Sequence, residues 1–263
     1  MPRFTTDDGV ELQYEVWGEG EPNVLHLPGW ISTIESMRWA EPLTAAGVRV
    51  VAYELRGTGR SDRPPPTDDN YSVERLAADS IGLADSLAPA PLVAVGGFEA
   101  AHHAVRLAVA RPAQVVGLVL AGPMLAPVAG RPMQMMWEGL IARGMSYALR
   151  SVADLAFSHL SEQDRAAFAR SLEGHVDADV LLAIWRSIDV TDSRSLLSQI
   201  RCPTRVISST DDIGIPLEWS ERIAEQIPTG SLVKIEGPGT AASMAMTRSA
   251  ELRAAIVELI QDL

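Results

Sequence analysis

The chain of 263 residues is 47% hydrophobic and 21% charged, enough for one α/β domain with a sizeable core and too little for two. A net charge of -12, with no basic cluster to offset it, repels phosphate backbones and argues against a nucleic-acid partner. The single cysteine, Cys202, excludes an intrachain disulfide and a cysteine-based zinc cluster; it fits a reducing cytoplasm and reads as a small buried hydrophobe.

The opening MPRFTTDDGVEL is acidic where a secretory signal needs a basic end and an apolar run. No stretch reaches transmembrane length, so a cytoplasmic location is expected. Residues 2 to 17 read as two short strands around an Asp8-Gly9 turn, the second alternating from Glu11 to Trp17. Asn23 to Leu27 is an apolar strand that runs into Pro28-Gly29-Trp30, and Ser32 or Thr33 caps a helix to about Ala46. Arg49 to Leu55 is the next strand, followed by Arg56-Gly57-Thr58-Gly59-Arg60-Ser61-Asp62-Arg63-Pro64. A proline-rich surface loop to Asn70 leads to a helix from about Ser72 to Leu87.

Leu92 to Val95 reads as the central buried strand, with a small-residue turn at Gly96-Gly97 and a helix that starts near Glu99. Val115 to Ala121 is apolar without interruption, as strands are when helices cover both faces of a parallel sheet. From Met124 to about Arg201 only helical periods occur. Strands return at Thr204 to Ser209 and Ser231 to Ile235, on either side of a helix from Glu218 to Ile227, and a final helix ends at Leu263. Strands alternating with helices imply right-handed crossovers and a mostly parallel sheet of about eight strands flanked by helices. The expected division is a core of residues 1–123 and 202–263 with a helical cap, 124–201, inserted after the sixth strand.

This order of motifs resembles the α/β-hydrolase fold over nearly the whole chain. In flavour it is most similar to the hydrolase-like domains found beside class III adenylate cyclases, through Pro28-Gly29-Trp30, Arg56 to Arg63, Glu99, and Ile188-Asp189-Val190-Thr191-Asp192. The fold presents its nucleophile on a strand-turn-helix with the pattern G-x-S-x-G, and the acid and histidine follow in chain order. Here Gly96 takes the first glycine position, Phe98 the serine position and Ala100 the last. The resemblance puts the acid at Asp212 and the histidine position at Thr240, so Phe98, Asp212 and Thr240 form a degenerate triad in which only the acid survives. Phenylalanine has no lone pair and forms no acyl-enzyme. Loss of nucleophile or base costs roughly a million-fold in the best-studied serine hydrolase, so ordinary ester hydrolysis is not expected.

The resemblance also implies oxyanion-type backbone donors, here from Trp30 and Glu99, which side-chain replacement does not delete. Glu99 sits at a helix N-terminus, where the dipole favours its anion and burial disfavours it; it is a candidate acid or base, or merely a cap. Asp212 is either a base in its own right or a relic bonded to loop amides. His102 and His103, three and four residues beyond Glu99, lie where either can meet it along the helix; otherwise one sits inside and the other near the surface. Trp30, Phe98, Met124, Met136, Trp137, Thr240 and Met244 are expected to line an apolar cavity under the cap. No metal or cofactor motif occurs, and Gly96-Gly97 lacks the spacing of a dinucleotide loop. The reading that results is a non-hydrolytic enzyme performing a cyclisation, elimination or isomerisation on a small, apolar, carbonyl-containing metabolite. Two alternatives stand beside it: a catalytically silent module that binds a ligand or regulates a partner, and a weak hydrolase with an unconventional nucleophile.

Overall fold

The computed structural model describes residues 2–127 and 133–263. Its strands are β1 (Arg3–Thr5), β2 (Glu11–Trp17), β3 (Asn23–Leu27), β4 (Arg49–Tyr53), β5 (Leu92–Gly97), β6 (Val115–Ala121), β7 (Thr204–Asp211) and β8 (Gly230–Pro238). They form one sheet in the order β1-β2-β4-β3-β5-β6-β7-β8. The pairings of β1 with β2 and β2 with β4 are antiparallel, and all the others are parallel. The expected α/β-hydrolase architecture is thus present, with the sheet mostly parallel.

The helices are α1 (Ile34–Met37), α2 (Asp68–Tyr71), α3 (Val73–Leu87), α4 (Ala101–Ala110), α5 (Met133–Ile141), α6 (Met145–Ala156), α7 (Glu162–Ser171), α8 (Ala178–Ile188), α9 (Leu217–Gln226), α10 (Ala241–Thr247) and α11 (Ser249–Gln261). Four of them, α5 to α8, fall between β6 and β7 and make up the helical insertion. Successive strand residues face opposite sides of a sheet, so each inner strand feeds two cores. Leu25, Leu27, Ala94 and Leu120 pack on one side with Leu83, Ala104 and Val105 of α3 and α4. Val24, Val93, Val95 and Val119 pack on the other with Met37 of α1 and Leu252 and Ile256 of α11. Each fully buried side chain of this kind contributes about 1.5–3 kcal/mol.

Local chemistry sets the boundaries. Thr33 caps α1 in a reciprocal box with Ser36, and the Ser72 hydroxyl accepts the Arg75 amide at the start of α3. The helix expected to run on to Ala46 is α-helical only to Met37; Arg38–Ala46 is wound as a 3-10 helix around Pro42, which has no amide hydrogen to donate. The loop before Ser72 contains α2, whose Tyr71 is fully buried. The chain end holds two helices, because α10 precedes α11.

The stretch from Glu54 to Ser61 ties the sheet edge together through buried charge. Arg56 is wholly buried and clamps Asp79 of α3 with Nε to Oδ2 at 2.6 Å and Nη2 to Oδ1 at 2.7 Å. Its remaining donors reach Asp8 at 2.8 and 2.9 Å, and these bonds hold the Asp8 carboxyl well below the usual range. Glu54 accepts the Ile34 amide at 3.2 Å and the Arg60 amide at 2.8 Å.

Candidate active site

The end of β5 turns sharply into α4 through a single 3-10 turn at Phe98–Ala100. Phe98 has φ +48°, and among the described residues it is the one non-glycine with a positive φ. A bulky L-residue there costs roughly 1–2 kcal/mol, so the surrounding contacts must hold it. The Phe98 carbonyl accepts the Met124 amide at 3.1 Å. Gly96 permits the turn, since a Cβ there would stand 2.8 Å from the Ala100 carbonyl oxygen.

From this turn the Glu99 side chain reaches back to the loop after β3. Its Oε1 accepts the Trp30 amide at 2.8 Å. Gly29 makes room: a Cβ there would lie 2.4 Å from Oε1. Glu99 is only 4% exposed, and burial pushes its carboxyl up to about 7 against the pull of backbone amides, the Trp30 amide first. Of the two backbone donors expected for an oxyanion, the Trp30 amide is therefore not free. The chain's own carboxylate already occupies the Trp30 donor. The Trp30 carbonyl is also engaged, by His175 Nε2 at 3.1 Å, and burial holds that imidazole down to about 4.

Asp212 lies in the turn after β7. Its Oδ1 accepts the Gly214 amide at 2.7 Å and the Ile215 amide at 2.9 Å, while Oδ2 is buried with no partner. Burial raises this carboxyl to about 6. Thr240 is the N-cap of α10: its hydroxyl accepts the Ser243 amide at 3.3 Å and makes a long 3.5 Å contact to the Ala156 carbonyl of α6.

A cavity of about 890 Å³ opens over the turn, and Trp30, Phe98, Glu99, Met136, Trp137 and Thr240 all contribute to its wall. An aromatic row crosses it. Trp30 meets Trp137 edge-on at 4.9 Å, Trp137 stacks on Trp185 at 6.3 Å, and Trp185 meets Phe98 edge-on at 6.2 Å. Met124 and Met244 do not line the cavity: they are 2% and 0% exposed within the two cores, because their places beside the turn and on α10 point inward. Met133 and Met246 take their place in the wall, and Met135 is turned out to solvent. Asp212 is likewise outside the lining, which its neighbours Ile213 and Gly214 enter.

Neither histidine of α4 bonds to Glu99 among the described residues, and neither is near the surface. His102 Nδ1 pairs with Ser193 Oγ at 2.5 Å, and His103 Nδ1 is buried without a partner. Sequence reasoning missed Trp185 and His175 as site residues; the only signal for Trp185 was an apolar run that also fits plain core. Among the described lining residues there is no lysine or arginine. Three carboxylates border the cavity: the exposed Glu35, paired with Arg60 at 2.5 Å, the exposed Asp164, which accepts the Ser161 hydroxyl at 2.6 Å, and the buried Glu99. Ligands that fit are neutral or cationic.

The acidic cluster that could gather a cation, Asp7, Asp8 and Asp79, lies away from the cavity and has Arg56 and Arg75 bonded into it. Those guanidinium groups supply the positive charge a metal would bring. No helix among the described residues is long and apolar enough to cross a membrane.

Residues 24–255 match the model of the alpha/beta hydrolase family. A non-heme haloperoxidase from Rhodococcus erythropolis is 24% identical, covering all of both chains. A putative carbamate hydrolase, RutD, from Variovorax paradoxus (strain S110) is 29% identical over 82% of this chain and 84% of its own. The crystal structure of a bromoperoxidase from Bacillus anthracis superposes with a TM-score of 0.84 at 21% identity, over 99% of this chain and 100% of that one.

Proposed function

The chain belongs to the alpha/beta hydrolase family, and from that premise we propose that it uses the family scaffold for a non-hydrolytic reaction. The substrate is a small, largely apolar metabolite with a carbonyl group, held under the helical insertion (124–201), and the reaction is an isomerisation, elimination or cyclisation by proton transfer. The observation that carries this reading is the position of Glu99: a carboxyl in the cavity wall, on the turn whose tip is Phe98, with a proton affinity near neutrality. Phe98, Asp212 and Thr240 are read as a triad reduced to its acid, so no acyl-enzyme pathway competes.

A carboxyl near pH 7 is available in both forms, which suits a group that must take and return a proton. As a base Glu99 removes a proton from the carbon beside the carbonyl, and the electron pair moves to the carbonyl oxygen. As an acid it returns a proton to a different atom, so an isomer leaves with unchanged composition. The aromatic row supplies shape and excludes water, which protects the enolate-like intermediate. Asp212 Oδ2, buried and unpaired, is a second candidate, set behind Ile213 and Gly214.

Within the family, the PGW and RGTGRSDRP segments support a kinship with the hydrolase-like domains found beside class III adenylate cyclases. Its single cysteine supports a reducing, cytoplasmic setting. One observation favours a second reading, a silent binding or regulatory module: the Trp30 donor is filled from within the chain.

The test is a screen of carbonyl-bearing apolar compounds by thermal shift, with product analysis of each stabilising compound on wild type, Glu99→Gln and Asp212→Asn. Conversion to an isomeric or eliminated product that Glu99→Gln abolishes supports the enzyme. Tight binding without conversion, unchanged in both variants, supports the silent module.

A further inference from the structure

The backbone of Trp30 is held from two sides. Its amide donates to Glu99 Oε1 at 2.8 Å, and its carbonyl meets His175 Nε2 at 3.1 Å. A carbonyl only accepts, so Nε2 carries the proton of an imidazole that burial keeps neutral at pH 7. The two bonds lie on either side of one Cα, and together they fix the rotation of the two planar peptide groups that meet at Trp30. His175 belongs to the insertion, in the link between α7 and α8. It is buried but lies outside the cavity lining among the described residues, so whatever it does for a ligand it does through Trp30.

The segment after β4 keeps this link in place. The Gly59 amide donates to the His175 carbonyl at 2.7 Å. Arg63 Nη2 reaches the same carbonyl at 3.0 Å and that of Gly174 at 2.8 Å, while its Nη1 pairs with Asp177 at 2.8 Å. Thr58 forms an antiparallel bridge to Val176. With Gly174, His175, Val176 and Asp177 all engaged, the imidazole is presented to Trp30 in one orientation. Arg56 locks the sheet edge, and Thr58, Gly59 and Arg63, a few residues on, hold the insertion.

We propose that His175 is a positioning residue for Glu99: it fixes the Trp30 backbone so that the Trp30 amide stays on the carboxyl, and Thr58, Gly59 and Arg63 fix His175. The inference rests on the role of Glu99 in the proposed function, and adds the route by which the insertion reaches that acid. The charged groups that act on the imidazole are Arg63 and Glu35. At Glu99 only neutral amides oppose burial, the Trp30 amide first. An amide bonded to a carboxylate favours its anion, so release of the Trp30 amide raises the proton affinity of Glu99.

The test is the midpoint of the Glu99 carboxyl titration in the full chain, read by infrared difference spectroscopy and assigned by its absence from Glu99→Gln. His175→Ala removes the donor to Trp30, and the midpoint rises by about one pH unit. His175→Gln, which carries an N–H at a similar reach, returns it to the wild-type value. A His175→Ala midpoint that stays put or falls overturns the inference, and so does a rise that His175→Gln leaves in place. Should His175→Ala not fold, Arg63→Ala carries the test, since that side chain is 30% exposed and its charge is not among those acting on Glu99. A rise in Arg63→Ala supports the inference, and an unchanged midpoint overturns it. A wild type with no carboxyl titrating near 7 sinks the role of Glu99 and this inference with it. A wild-type midpoint near 7 that ignores every one of these variants sinks the positioning role alone.

Discussion

Two carboxyl groups, Asp79 and Glu99, are almost equally hidden from water, at 1% and 4% exposure, and they are held by opposite means. Asp79 meets the fork of Arg56 at 2.6 and 2.7 Å and has Arg75 at 3.3 Å as well. Glu99 has no counter-charge; neutral backbone amides hold it against a cavity wall. Burial raises both carboxyls; at Asp79 two guanidinium groups oppose the rise and the charge cluster serves the fold, whereas at Glu99 only neutral amides oppose it and the carboxyl is pushed up to about 7. The difference separates a region that locks the edge of the sheet from one that we propose exchanges a proton, although the sequence string around Arg56 is the more conspicuous of the two.

Breaking the matched pair has the largest effect on stability. Arg56→Ala strands the Asp79 carboxylate in the interior and lowers unfolding free energy by about 3–5 kcal/mol, read by denaturant titration. Ligand binding of whatever molecule remains folded stays at the wild-type level. An Arg56→Ala protein as stable as wild type would deny the pair its structural role.

The next effect concerns the filled donor at Trp30. Phe98→Ser with Thr240→His puts a serine and a histidine at the positions we propose for the family's nucleophile and base, yet hydrolysis of p-nitrophenyl acetate stays feeble because Glu99 still occupies the Trp30 amide. Adding Glu99→Ala to that double variant frees the amide and raises the rate about 100-fold or more, the usual worth of an oxyanion donor. A double variant already as fast as the triple would mean that the carboxylate does not block the site.

Methionine positions sharpen the contrast between core and cavity. Met244→Ala removes a side chain packed on every side and costs about 2–5 kcal/mol. Met136→Ala faces open space, costs far less, and weakens ligand binding instead. The same ranking reversed would put Met244 in the cavity wall and Met136 in the core.

A smaller effect is the pH dependence of stability. Glu99 titrates at about 7 in the folded chain against 4.5 when exposed, so its protonated form is favoured by folding. Its contribution is complete below pH 4.5 and is lost as pH rises to about 7, by on the order of 3 kcal/mol. The buried imidazoles of His26, His102 and His175, each held down to about 4, act the other way: their contribution is lost as pH falls from 6.5. The difference between Glu99→Gln and wild type cancels the histidines. It is flat below pH 4.5, grows in favour of the variant up to about pH 7, and is flat again above.

The fold was legible because its signals are local and periodic. Apolar runs such as Val115 to Ala121 have no alternative use, caps at Thr33 and Ser72 stand where helices start, and Gly96-Gly97 marks the sharp turn. Within the site, Phe98 at the turn could be read, since position along the strand-turn-helix decides it. The direction of the Glu99 side chain could not, because its partner Trp30 lies 69 residues away and only the assembled loop brings the amide within reach. Helical periodicity shows that α10 carries methionines, but not that Met244 faces a core and Met246 a cavity. Trp185 and His175 were hidden for the same reason: nothing in the residues around them distinguishes a cavity wall from packed interior.

That Glu99 is a buried acid without a counter-charge, titrating at about 7, is tested most directly without any ligand. Infrared difference spectra of the carboxyl stretch are recorded from pH 4 to 9 on wild type and Glu99→Gln. A protonated carboxyl band that disappears with a midpoint near pH 7 in the wild type, and is missing from the variant, is the predicted result. Loss of all protonated carboxyl signal below pH 5 in both proteins would contradict it and leave Glu99 an ordinary ionised cap.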